Sequence, residues 1–306
     1  MKGGINTMLM QKEKFKQASS FIKTKARPLE RALFQYEFEN GRKEDVILEL
    51  EKFQNDDGGF GNSLEPDFRL ESSSALATSV ALQTISYLKI EPNHSIVQKV
   101  MNYLINTYNP DSIGWEMVPK EVEKVPRAPW WNYQEPRKDW GNPNAEILGY
   151  FYEYKELIPE SLLQTLTEKA IHHFNNLEEY EFHEILCYVR LAERIDSFIL
   201  PSFIEKLKES LKICVEKDKE KWREYTLQPI QVVQSPTSMF YPYFEDVIEE
   251  NLKFILEMQT EKGSWEPTWS WFGQYMDTWE TAKVEWEGVL TLGNLRTLKS
   301  FQLINL

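Results

Sequence analysis

The chain is 306 residues long, 42% hydrophobic, 13% aromatic and 27% charged, which supplies a substantial core and argues against both a disordered chain and a membrane-spanning one. Its formal charge of −13, from 35 basic and 48 acidic residues, comes with no Lys/Arg stripe interleaved with aromatics, so no nucleic-acid partner is expected. No segment approaches the roughly 18 consecutive apolar residues of a transmembrane helix, and Met1 to Phe15 lacks the apolar run of a secretory signal, which leaves the cytoplasm as the expected location. Cys187 and Cys214 are too few for a disulfide framework and fit a reducing compartment as core thiols.

Composition shifts nowhere abruptly enough to mark a linker, so residues 1–306 are expected to form one domain. In chain order, apolar spacing predicts helices over Ser73 to Leu88, Ile96 to Tyr108, Ala145 to Tyr154, Leu162 to Phe174, Phe182 to Ala192, Phe203 to Trp222, Val247 to Met258 and Thr281 to Leu303. Between them stand turn clusters: Asp56-Asp57-Gly58-Gly59, Asn109-Pro110-Asp111, Asn142-Pro143-Asn144 and Glu261-Lys262-Gly263. The run Glu205 to Glu224 reads as an outer helix burying Leu207, Leu211, Cys214 and Trp222, its charges a wet face. Strand-like alternation is almost absent, so the class is all-α, a series of helical hairpins.

Two stretches repeat. Phe53-Gln54 followed by Gly58-Gly59-Phe60 aligns with Met258-Gln259 followed by Gly263-Ser264-Trp265, each after a helix and each leading to another near Ser73 and Thr278. A weaker copy, Tyr108 through Ile113-Gly114-Trp115-Glu116, keeps the Gly-Trp but lacks the Gln, and no copy is evident from Leu162 to Trp222. The Gln-x-x-x-Gly-x-aromatic element resembles the repeat of squalene–hopene cyclases, oxidosqualene cyclases and protein prenyltransferase β-subunits. That resemblance implies an α/α toroid of inner and outer helices around a cavity capped by loops. The same residues also tie off a helix end, the Gln amide bonding the following turn and the aromatic stacking on it.

Nine of the ten tryptophans fall in two windows: Trp115, Trp130, Trp131 and Trp140, then Trp265, Trp269, Trp271, Trp279 and Trp286. Loop aromatics such as these line an isoprenoid or sugar site, where ring faces stabilise a carbocation, or they fill an irregular core. The segment Leu64-Glu65-Pro66-Asp67-Phe68-Arg69-Leu70-Glu71 sets carboxylates beside an arginine in a loop entering an inner-type helix. Glu65 and Asp67 are therefore the candidate catalytic acids, with Arg69 to orient them or hold an anionic group such as diphosphate. Arg127 and Arg137 add cations to an aromatic loop, and Asp277 with Glu280 opens the last inner-type helix, where a carboxylate also suits the positive helix end. Trp115, Arg127, Trp130, Trp131, Trp265, Trp269, Trp271 and Asp277 complete the candidate substrate-binding set.

Departures from the resembled families bound the chemistry. The Asp-x-Asp-Asp acid motif of squalene–hopene-type cyclases is missing, and Glu65-x-Asp67 is a loose analogue. Asp56-Asp57 runs into Gly58-Gly59 and reads as a turn rather than a magnesium motif. Neither cysteine stands in the Asp-x-Cys setting of the prenyltransferase zinc site, His183 with Cys187 reads as a core pair, and His172-His173 reads as a surface pair. No P-loop, dinucleotide fingerprint, nucleophile elbow or His-Glu-x-x-His occurs, so no metal and no cofactor are expected. The leading expectation is a terpenoid-cyclase/prenyltransferase-like protein with an apolar, isoprenoid-like ligand. The alternatives are a carbohydrate-active toroid with Asp67 and Asp277 flanking a glycosidic bond, and a non-catalytic toroid scaffold.

Overall fold

The computed structural model describes residues 9–133 and 139–305. Among these it is all-helical, 60% helix with 12 α-helices and no β-strand. The helices are α1 (Lys12–Lys25), α2 (Pro28–Phe38), α3 (Lys43–Glu51), α4 (Ala75–Tyr87), α5 (Ser95–Thr107), α6 (Gly141–Glu153), α7 (Glu160–Asn175), α8 (Phe182–Ala192), α9 (Ile204–Cys214), α10 (Pro229–Val232), α11 (Tyr241–Glu257) and α12 (Met276–Ser300). They form two compact units, Met1–Leu50 with Val215–Leu306, and Glu51–Cys214. No described helix is long and apolar enough to cross a membrane.

The expected helices are present, with one correction in the charged run. α9 stops at Cys214 and buries Leu207, Ser210 and Leu211; the chain then leaves the helix, because Glu216 N–H donates to Leu227 O (2.9 Å) instead of continuing the helical ladder. Trp222 is buried, but from this loop, its indole N–H donating to Glu216 O (2.7 Å). Sequence periodicity placed it on the stripe only because its distance from Leu211 happens to fit the helical spacing.

In the Glu51–Cys214 unit, α6 is buried around its whole circumference, from Pro143 to Tyr152, the signature of a helix surrounded by others. It packs most closely on α8. A Cβ on Gly149 would lie 3.2 Å from Arg190 O, so the missing side chain lets the two axes approach. Ile147, Leu148 and Phe151 of α6 and Ile185, Tyr188 and Leu191 of α8 are fully buried, each contributing about 1.5–3 kcal/mol. Two buried carboxylates tie the layer together. Glu146 accepts from Tyr150 (2.9 Å) and Arg190 (3.0 Å). Glu184 accepts from Gly141 N (2.6 Å) and lies 2.8 Å from His173 Nε2. His173 is thus an interior partner rather than a surface residue, while its neighbour His172 is exposed; the charge that makes α7 look uniformly wet belongs to the other side of that helix.

In the other unit, α12 packs against α1 and α2. Gly288 makes this possible, since a Cβ there would lie 2.9 Å from Ala26 Cβ. Glu30, on the same seam, is buried and takes a two-pronged bond from Arg27 (2.9 and 2.6 Å). Met10 N–H donates to Leu303 O (2.8 Å), and Lys299 pairs with Glu37 (2.9 Å).

The repeated elements share one construction. In the first, Asn55 N donates to Gly59 O (2.9 Å), Gln54 Nε2 to Gly58 O (2.9 Å) and Phe60 N to Thr78 Oγ1 of α4 (3.0 Å). In the last, the same bonds run from Thr260 N to Ser264 O (2.9 Å), Gln259 Nε2 to Gly263 O (3.0 Å) and Trp265 N to Thr291 Oγ1 of α12 (3.1 Å). Gly58 and Gly263 both have φ of 90°, and a Cβ on either would fall 2.4 Å from a backbone oxygen, of Lys99 in α5 or Gln17 in α1. Each element therefore sits directly on the main chain of a neighbouring helix, which only glycine allows.

The degenerate copy is built alike from other residues. Asn109 N donates to Gly114 O (2.9 Å) and Trp115 N to Asn144 Oδ1 of α6 (2.8 Å). Ile113, with φ of 52°, takes the glycine's place, and its carbonyl receives the Trp140 indole N–H (3.0 Å) instead of a Gln amide. The Glu216–Leu227 bond follows α9 in the corresponding place, around a longer loop, but its bridge is parallel where those at Gln54 and Asn109 are antiparallel, so it is not a copy of the element.

Candidate functional site

The carboxylate loop begins where the first element ends. A Cβ on Gly61 would lie 2.2 Å from Glu71 O, so the outgoing and returning chains pass in contact. Asn62 and Ser63 are left-handed, with φ of 53° and 61°, a strained pair held by Asn62 N to Glu71 O (3.1 Å) and Ser63 N to Leu70 O (3.3 Å). The turn delivers Leu64, Glu65, Asp67 and Phe68 into the interior.

Glu65 is 6% and Asp67 3% exposed, so both candidate acids are withdrawn from bulk water. Glu65 Oε2 accepts the Asp67 main-chain N–H (2.7 Å), which locks the order of the two side chains in the loop. Arg69 is half-buried and its Nη1 donates to Pro66 O (3.3 Å). Main-chain bonds then join this loop to the aromatic one: Arg69 N to Pro126 O (2.9 Å) and Ala128 N to Asp67 O (2.7 Å). Phe68 meets Trp131 edge-on, with ring centroids 5.7 Å apart. Among the described residues the buried Trp131 indole N–H has no hydrogen-bond partner, a donor left on the ring that meets Phe68 of the carboxylate loop.

Arg127 serves its own loop. Its Nε donates to Asn132 Oδ1 (2.8 Å), and its Nη1 faces the carbonyls of Val122, Glu123 and Val125 at 3.2, 3.0 and 3.1 Å. Trp130 is half-buried in the short 3-10 turn Pro129–Trp131. Trp115 is buried, its indole donating to Leu104 O (2.9 Å). Arg137 lies outside the described residues.

The second tryptophan window belongs to the other unit. Trp265 is a post of the last element, its indole donating to Ile255 O (2.8 Å). Trp271 is fully buried, 5.8 Å from Trp279. Trp269 is sandwiched by edge contacts with Tyr225 (5.6 Å) and Trp286 (5.1 Å), and the Trp286 indole N–H is likewise buried and unpartnered. Asp277 is exposed in the first turn of α12, where its charge faces the positive helix end.

Among the described residues no group of three or more His, Cys, Asp or Glu is placed to hold a metal ion. Cys187 is buried against Glu146, and burial pushes its thiol well above the ordinary range; His183 instead pairs with Glu181 at the surface (2.5 Å). Sequence reading missed the pairing of the two loops through residues 126–128 and the role of Trp140. Of the two only Trp140 left a hint, the buried polar Asn144 of α6, whose amide donates to Trp140 O (2.6 Å). Compared with known proteins, the chain matches no family model, no curated protein and no solved structure.

Proposed function

We propose that the chain is a cytoplasmic, terpenoid-cyclase/prenyltransferase-like α/α toroid, one domain in all, that binds an isoprenoid or similar apolar ligand against its loop aromatics. In this reading Asp67 or Glu65 is the acid. The observation that carries it is the burial of both carboxyl groups in a main-chain-braced loop beside Phe68 and Trp131. Proton transfer from a carboxylic acid to a ligand alkene leaves a carbocation and a carboxylate; aromatic faces stabilise the cation, and exclusion of water protects it. Arg69 orients the loop, and the unpartnered Trp131 N–H supplies a donor for a ligand oxygen. Support for the toroid comes from the recurring element and from the packing of the first helices, α1 and α2, on the last, α12, the closure a ring of hairpins requires.

The test is incubation with squalene, polyprenols and prenyl diphosphates, read by native mass spectrometry and product analysis. The expected result is an isoprenoid adduct and a cyclised or dephosphorylated product whose formation falls at least about 100-fold in Asp67→Asn or Glu65→Gln. No adduct with any isoprenoid sinks the reading; an adduct without turnover, unaffected by Asp67→Asn, indicates the scaffold instead.

One observation favours the carbohydrate-active alternative. Tyr225, 51% exposed, meets Trp269 edge-on and Asp277 of the same unit is open to solvent, the residue types a sugar platform and a carboxylate would use. Turnover of an oligosaccharide lost in Asp277→Asn would establish it.

A further inference from the structure

A cleft that shares no residue with the Glu65–Asp67 loop lies within the Glu51–Cys214 unit. Its volume is about 220 Å³, below the roughly 300–1,000 Å³ of sites for drug-sized ligands. The start of α4, the end of α5 and the loop after it supply its walls, including Ser74, Tyr103, Thr107, Asn109, Trp115 and Glu116.

Each polar group there has capacity left. Ser74 Oγ accepts the Ala77 N–H (3.1 Å), which leaves its own proton to give. Thr107 Oγ1 donates to Tyr103 O (2.8 Å), which leaves its lone pairs. Asn109 Oδ1 accepts from Asp111 N (2.9 Å), with the amide N–H₂ uncommitted. Glu116 takes one bond, from Tyr133 OH (3.3 Å). Donors and acceptors are thus both present in the lining, together with the rings of Tyr103 and Trp115.

The lining selects by charge and polarity. Among the described residues no Lys, Arg or His lines the cleft, Glu116 does, and Asp57 accepts the Ser73 hydroxyl (2.7 Å); this lining disfavours an anion such as diphosphate. An apolar chain would desolvate the hydroxyls without replacing their bonds. Glu116 is exposed, so it holds a cation only weakly. What remains is a compact neutral molecule carrying several hydroxyls and an apolar face. We propose that this cleft binds a single sugar ring, a terminal pyranose of a glycan or glycoside, independently of the isoprenoid reading.

The test uses the full chain and saturation-transfer NMR with methyl glycosides of glucose, mannose, galactose and N-acetylglucosamine, with choline and pyrophosphate as counter-probes. At least one glycoside is expected to bind. Glu116→Gln, at an exposed position, should weaken it about tenfold, and Thr107→Trp, which fills the cleft from its rim, should abolish it, with unfolding midpoints unchanged in both. Asp67→Asn should leave it unaltered, which separates this site from the acid loop. Absence of binding by all four glycosides, binding that survives Thr107→Trp, or a preference for choline or pyrophosphate overturns the proposal.

Discussion

The elements around Gln54 and Gln259 and the one around Trp115 reach the same geometry with different side chains. At Gly58 and Gly263 a left-handed residue presses main chain onto main chain and is held by the amide four residues before it. At Ile113 the same turn carries a β-branched side chain and is held by an indole 27 residues later in the chain. What persists is a set of bonds: a carbonyl that receives an N–H, and an aromatic residue's N–H that ends on a polar side chain of a buried helix. Letters change where another group delivers the same proton.

The sharpest way to break this comparison is at the left-handed residue. Gly58→Ala and Gly263→Ala combine a disfavoured φ with a backbone clash and should each cost about 3 kcal/mol or more in chemical denaturation. A loss below about 1 kcal/mol would show that the elements do not bear on α5 and α1 as described. The next effect separates the first element from the last by pH. A Cβ on Gly59 would meet the Tyr103 ring at 2.7 Å, and burial, aided by Asp57, pushes the Tyr103 hydroxyl up from 10.0 to about 12. A folded-state value above the unfolded one means the stability is intact below pH 10 and is lost as pH rises toward 12, on the order of 2 kcal/mol. Tyr103→Phe should flatten that alkaline decline; an unchanged slope would refute it.

Smaller effects sharpen the donor equivalence. Gln259→Ala removes bonds to Gly263 O and Lys14 O (2.9 Å) and should cost about 1.5–3 kcal/mol, more than Gln54→Ala, whose second bond, to Ile96 O, is 3.5 Å long. Trp140→Phe should cost about 1 kcal/mol through the lost indole donor. Ile113→Gly, which relieves the left-handed strain, should be neutral or stabilise by up to about 1 kcal/mol, opposite in sign to the glycine replacements. Destabilisation by Ile113→Gly as large as that of Gly58→Ala would dissolve the equivalence.

Much of the helical order was legible because α4 to α8 carry dense apolar stripes; α8 begins and ends where the spacing places it, Phe182 and Ala192. The first three helices were not. In α1 only Ala18, Phe21 and Ile22 are buried, among lysines, and Gln11 provides no side-chain cap, so tertiary packing on α12 rather than local pattern makes it a helix. At the candidate site the residue types were legible and their arrangement was not. Asp67 meets Ala128, and Arg69 meets Pro126, through main-chain atoms, which carry no mark in a sequence. The Trp140 donor escaped because the Gln is what marks the element in the sequence, whereas the fold asks only for an N–H in the right place.

The main-chain bond from Met10 to Leu303 has a consequence in time as well as in space. The Glu51–Cys214 unit is continuous and has all of its chain once Cys214 is made, whereas the other is assembled from residues before Leu50 and after Val215. During synthesis α1 and α2 emerge before the intervening unit and meet α12 only after it has been made. The stripe of α1 is sparse and flanked by lysines, so little apolar surface stands uncovered in the interval, and residues made before the intervening unit find their places after it.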